Sequence, residues 1–155
     1  MSNTERPAPP AFADLPAGTW RTDVPVLFSH CDPAGIVYFA RFFDLANGVV
    51  EAWFAASLGL SYAEFIGPRR VGLGYAAVSA EFSRPARHGD TLTFAVLVDR
   101  IGGASLGLSI AVYRAAEPIL LIRMTIVTTS LVAHKAIPIP DDLRAALARY
   151  QDAGR

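Results

Sequence analysis

The run Phe28-Ser29-His30-Cys31-Asp32-Pro33-Ala34-Gly35-Ile36-Val37-Tyr38-Phe39 brings together residue types from which a hydrolytic site can be built. Asp32 heads a tight Asp-Pro-Ala-Gly turn, and an amphipathic helix begins a few residues later. The start of a helix carries N–H groups without intrahelical acceptors and a partial positive charge, so it can hold a developing oxyanion. A carboxylate beside such an end could serve acyl transfer, as nucleophile or as base toward water. The same spacing also fits a plain turn in which Asp32 only accepts local N–H bonds. Gly35 permits close approach of the backbone, which suits either reading.

The neighbouring side chains are open to two readings each. His30 could orient water or substrate, or could simply hydrogen-bond at the end of a strand. Cys31 would need a base to act as a nucleophile. In an extended strand its neighbour His30 points to the opposite face, which favours a buried spectator thiol. Asn47 and Glu51 fall at the edge of the helix's apolar stripe, where they could face a pocket shared with a second subunit.

These residues need elements to position them. Thr22 to Phe28 read as a strand ending at the motif. Phe39, Phe42, Phe43, Ala46, Val49, Val50, Trp53 and Phe54 recur at helical spacing and form one apolar stripe. The spacing predicts a helix of about 19 residues, about 28 Å long, stopped by Gly59. Leu60 to Arg70 read as a loop with one helical turn. Val71 to Ser83 read as a strand whose alternation slips, and a bulge near Ala76-Ala77 would return both parities to the core.

Beyond the Arg84–Asp90 connection, Leu92, Phe94, Val96 and Val98 alternate as a strand, and Gly102-Gly103 suits a two-residue hairpin turn. The partner strand places Leu106, Leu108, Ile110 and Val112 on one face. Ser105, Gly107, Ser109 and Ala111 lie on the other, leaving room for another subunit's sheet. Glu117-Pro118 reads as a turn, Ile119 to Val132 as a long strand, and Pro140-Asp141-Asp142 as the opening of a terminal helix. One long helix over about five antiparallel strands makes the fold class α+β.

Bulk properties narrow the function. The chain has 155 residues, 52% of them apolar and 18% charged, with a formal charge of zero. That suits one domain over residues 20–155, preceded by a flexible Pro/Ala-rich arm over 1–19 in which Phe12 and Leu15 could be pinned locally. A balanced charge argues against wholesale nucleic-acid binding. Cys31 is the sole cysteine, so no intrachain disulfide can form. With no apolar run of signal-peptide or membrane-span length, a cytoplasmic location is expected, with no membrane partner.

His30-Cys31-Asp32-Pro33-Ala34-Gly35-Ile36-Val37-Tyr38-Phe39 closely resembles the signature of the hotdog-fold acyl-CoA thioesterases, specifically the 4-hydroxybenzoyl-CoA thioesterase family. Arg84-Pro-Ala-Arg-His-Gly-Asp90 resembles that family's loop between its second and third main strands, and Arg100 to Ser105 its next hairpin. The likeness spans about Asp23 to Leu131. It implies a hotdog fold, a long central helix wrapped by a curved antiparallel sheet. It also implies an acyl-CoA thioesterase acting on an aromatic or short- to medium-chain acyl group.

Residue by residue, Asp32 then resembles the family's catalytic carboxylate. Phe39, through its backbone N–H, resembles the donor that polarises the thioester carbonyl. His30, Gly35, Tyr38, Asn47, Arg84 and Arg87 are the expected substrate contacts, the arginines facing coenzyme A phosphates. Glu51 is a second carboxylate to consider, because some hotdog thioesterases carry theirs on the long helix. No cofactor or metal is expected, since coenzyme A belongs to the substrate. The resemblance implies a homodimer with sheets joined edge to edge, and in many relatives a homotetramer. It departs at Gly102-Gly103-Ala104, where some relatives carry basic residues. Two other activities fit the same fold: a hydratase or dehydratase of acyl thioesters, and a non-catalytic acyl-CoA binding module.

Overall fold

Alternating apolar residues build the sheet, and the 3.6-residue stripe builds the helix that fills it. In the computed structural model, which describes residues 6–154, the strands are β1 (Arg21–Pro25), β2 (Val71–Phe82), β3 (Thr91–Ile101), β4 (Ser105–Arg114), β5 (Glu117–Ser130) and the short β6 (Lys135–Ala136). The helices are α1 (Phe39–Trp53), α2 (Tyr62–Ile66) and α3 (Asp141–Ala153). The sheet order is β1-β3-β4-β5-β2, with all neighbours antiparallel. β6 pairs with the last residues of β5. Four long strands and the shorter β1 curl around α1, the hotdog arrangement.

Phe42, Ala46, Val49, Val50 and Trp53 on α1 are buried against Leu92, Phe94 and Val96 of β3 and Leu106, Leu108 and Ile110 of β4. Each large side chain taken fully from water stabilises the fold by about 1.5–3 kcal/mol. The stripe ends short of the N-terminus of α1, where Phe39 is 57% exposed. After Trp53 the helix continues as a π turn over Phe54–Leu58, and Gly59, at φ +65°, ends it.

β2 is one edge of the sheet and β1 the other. The predicted bulge is present, between Tyr75 and Ala77. It turns Val78 and Phe82 to the α1 side, yet within the single chain both stay exposed, as does Tyr75. The expected return of both parities to the core therefore holds in full for Val71 and Leu73 and in part for Ala80.

Three local expectations are corrected. The strand expected to reach Phe28 stops at Pro25, and Phe28–His30 form a 3-10 turn. The His30 Nδ1 accepts the Leu27 N–H at 3.0 Å, a local bond that replaces a ladder bond. The β4–β5 turn is Ala115-Ala116, both at positive φ, and Glu117-Pro118 already lie in β5. The β3–β4 hairpin has a three-residue loop closed by Gly102 N–H to Ser105 O. From α3, Arg144 holds that hairpin by donating to the carbonyls of Gly102 and Gly103.

Of the segment expected to be a flexible arm, residues 1–5 lie outside the described residues. Pro9 and Leu15 are buried, and Pro10 O accepts the Tyr113 hydroxyl at 2.8 Å. The Phe12 ring meets that of Tyr113 edge-on at 5.0 Å. Leu15, Ala95, Ala111, Tyr113 and Leu121 form a small core on the outer face of the sheet. Part of the small-residue face of β4 is thus covered by the chain's own N-terminal segment.

Candidate active site

The segment between β1 and α1 is a miniature hairpin. Cys31 pairs with Val37, the Asp32 N–H reaches Ile36 O at 3.0 Å, and the Gly35 N–H closes the turn on Asp32 O at 2.9 Å. Gly35 sits at φ +75°, a left-handed conformation that a Cβ disfavours. Nothing lies within 4 Å of where its Cβ would stand, so backbone conformation, rather than close approach, calls for glycine.

This hairpin is fastened on two sides. Tyr38 N–H donates to His30 O at 2.9 Å, which sets the start of α1 against the 3-10 turn. Val37 N–H reaches Ala86 O, and His88 N–H reaches Gly35 O, tying the turn to the Ser83–Asp90 loop. That loop is held in turn by Arg114, which donates to Pro85 O, Asp90 and Glu117.

Asp32 stands at the tip, half-buried. Its Oδ1 accepts the Ala34 N–H at 2.8 Å, the bond of an ordinary Asx turn, while Oδ2 carries no hydrogen bond among the described residues. Beside it opens a cavity of about 480 Å³ lined by Phe28, Cys31, Asp32, Pro33, Gly35 and His88. At the head of α1 no side chain caps the first turn, and the Phe39 N–H has no intrahelical acceptor. One hairpin thus carries a carboxylate with a free oxygen and leads into an uncapped helix start.

The remaining sequence candidates are distributed around this centre. His30 does not line the cavity, and its Nδ1 is occupied by Leu27. Tyr38 and Phe39 stand on the surface, their rings edge-on at 5.0 Å. Asn47 lies two turns along α1, where its Oδ1 accepts the Tyr75 hydroxyl at 2.7 Å. Arg84 is exposed, with Nε 3.7 Å from Glu117. Arg87 uses its backbone N–H on Asp90 Oδ2 at 2.8 Å and leaves its side chain exposed. Glu51 is exposed on α1. Cys31, expected as a buried spectator, is half-buried, lines the cavity and directs its thiol to Leu27 O at 3.6 Å.

Three residues escaped the sequence reading. Phe28 is 79% exposed at the rim of the cavity and meets His88 edge-on at 5.9 Å. His88 was visible in Arg-His-Gly-Asp, but nothing in the spacing ties it to Asp32. Arg114 looked like any strand-end arginine. Among the described residues, no group of three His, Cys, Asp or Glu is placed to hold a metal ion. No described helix is long and apolar enough to cross a membrane.

Solved structures share the whole fold at low sequence identity. A 1,4-dihydroxy-2-naphthoyl-CoA thioesterase from Synechocystis superposes with a TM-score of 0.77 at 23% identity, covering 84% of this chain and 96% of that one. A thioesterase superfamily protein from Jannaschia gives 0.80 at 23% identity, with 87% and 94% covered. A Staphylococcus aureus protein in complex with CoA gives 0.81 at 13% identity, with 88% and 86% covered. No curated protein matches the chain. The family model of the thioesterase-like superfamily matches residues 26–147, from the end of β1 into α3, and the chain belongs to that superfamily.

Proposed function

We propose that this protein is an acyl-CoA thioesterase of the 4-hydroxybenzoyl-CoA thioesterase type, with Asp32 as its catalytic carboxylate. The observation that carries the reading is the free Asp32 Oδ2 beside a cavity of about 480 Å³, on the hairpin that opens into the uncapped start of α1. A thioester carbonyl placed there would meet the carboxylate on one side and the Phe39 N–H on its oxygen. Attack by Asp32 forms a tetrahedral oxyanion, which collapses with loss of the coenzyme A thiolate. Water then hydrolyses the resulting anhydride. In the alternative route Asp32 takes a proton from water, which attacks directly. Either way a backbone donor on the oxyanion is worth about 3–4 kcal/mol of barrier.

Gly35 and the backbone near Tyr38 and His30 would border the thioester, with Asn47 farther along the acyl group. Arg84 and Arg87 are exposed cations suited to the coenzyme's phosphates. The free edge of β2, with Tyr75, Val78 and Phe82 uncovered, is the surface on which a second copy would pair strand to strand. The outer sheet face left open beside the N-terminal segment is where two such dimers would meet. The sole cysteine fits a reducing, cytoplasmic setting.

The test is thiol release from a panel of benzoyl-, hydroxybenzoyl- and straight-chain acyl-CoAs. Asp32→Asn, which keeps the Ala34 bond, should lower kcat by about 10²–10⁴-fold with the fold intact by circular dichroism. Full activity in that variant, or no release from any substrate, would end the proposal.

A further inference from the structure

A groove runs between α1 and the free-edge strand β2. The two elements run in opposite directions along it, since Phe42 meets Phe82 at 5.8 Å between ring centroids and Asn47 meets Tyr75. Between those contacts lies an apolar cavity of about 300 Å³ lined by Phe43, Tyr75, Val78 and Met124. Val78 sits opposite Met124 in the β2–β5 ladder.

The β2 bulge makes this cavity. Residues three apart in a regular strand face opposite sides, so Tyr75 and Val78 could not both line it without the extra residue. One end of this cavity lies toward Phe39, which shares the helix face of Phe43 and Asn47, and so toward the free N–H at the head of α1. At the other, the Tyr75 hydroxyl donates to Asn47 Oδ1 at 2.7 Å. Although much of the ring is exposed, partial burial of the hydroxyl end, with Tyr62 nearby, pushes that hydroxyl up to about 12, so it remains a donor throughout the neutral range. From Phe39 to Asn47 the helix rises about 12 Å.

We infer that Tyr75, anchored by Asn47, is the end wall of an acyl groove and restricts the substrate to acyl groups of one ring or a short straight chain. The inference rests on the thioesterase reading and gives it a substrate class. An acyl chain entering from the Phe39 end would have apolar walls as far as Phe43 and Val78. To pass Tyr75 it would have to displace the ring and break the bond of its hydroxyl to Asn47.

The experiment uses the full chain with straight-chain acyl-CoAs from acetyl to palmitoyl, and with the matching free carboxylic acids, whose binding needs no turnover. For the unaltered protein, kcat/KM and acid affinity should both fall at least tenfold beyond a short chain length. Tyr75→Ala should move that step several carbons longer, through KM more than kcat, and Val78→Phe should move it shorter. An unmoved step in both variants, or palmitoyl turned over as readily as butyryl, overturns the inference. It also means that the partner subunit's side chains, or nothing, fill the groove. A step in acid binding that moves with Tyr75→Ala, without thiol release from any substrate, would uphold the groove and defeat the thioesterase reading. Turnover with no length step would defeat the groove alone. Should Tyr75→Ala fail to fold, Val78→Phe decides by the same measurement.

Discussion

Arg114 clamps Asp90 through a 2.8 Å ion pair, joining the end of β4 to the loop that braces the Asp32 hairpin. Burial raises the Asp90 carboxyl, but the Arg87 N–H and the Arg114 guanidinium outweigh it and hold the group below the ordinary carboxylate value. A folded-state value lower than the unfolded one gives stability that is complete above about pH 4 and lost as pH falls through the folded value. Arg114→Met should therefore cost about 1–2 kcal/mol at neutral pH in urea unfolding. The difference from the unaltered protein should narrow as the titration is taken below pH 4. Because His88 N–H and Ala86 O tie this loop to Gly35 and Val37, thioester turnover should fall as well.

Gly35 offers a cleaner separation of backbone strain from crowding. With φ +75° and open space around the missing side chain, Gly35→Ala should lose about 1 kcal/mol, the cost of a left-handed alanine. Gly35→Asn should lose less, since asparagine tolerates that conformation. Thermal unfolding of the two variants side by side checks the order.

The β4–β5 turn holds Ala115 at φ 46° and Ala116 at φ 68°. Two left-handed alanines in a two-residue hairpin loop are strained where asparagine and glycine are at ease. The double change Ala115→Asn, Ala116→Gly should stabilise the protein by about 1–2 kcal/mol. A melting temperature that stays put or drops would contradict this account of the turn.

Tyr75 and Tyr113 are each pushed up to about 12, both by burial. Their folded values exceed the unfolded one of about 10. The stability tied to their protonation is therefore whole below pH 10 and vanishes as pH climbs toward 12. Alkaline unfolding should follow phenolate formation, and Tyr113→Phe should also loosen the segment around Pro10, which loses the donor to its carbonyl. Proteolysis of the N-terminal segment in that variant reads the effect directly.

Much of this architecture was legible in the sequence because local chemistry and tertiary packing agree. The Asp-Pro-Ala-Gly turn, the α1 stripe, the β2 bulge and the Gly59 stop each carry a signal that the fold honours. The misses occur where a distant contact decides. His30 ends β1 by taking the Leu27 N–H, which no periodicity encodes. The turn falls on Ala115-Ala116 because Arg114 and Glu117 bond across it at 2.7 Å, although Glu-Pro is the stronger local turn signal. Phe12 and Leu15, the two arm residues expected to be pinned locally, dock instead on Tyr113 and Ala111, about a hundred positions away, so the partner could not be read from the proline-rich composition. At the candidate site, Asp32 and Gly35 stood out from their motif. His88 could not, because only the fold brings its loop to theirs.

The Tyr75 side chain has two duties, walling a groove with its ring and bracing α1 with its oxygen. A laboratory lineage selected for bulkier cargo would be pushed to discard that residue first, and would give up a tether between helix and sheet in the same step. Such a lineage should need compensating changes along α1 before its gains could accumulate, so its accessible routes ought to be few and their order constrained.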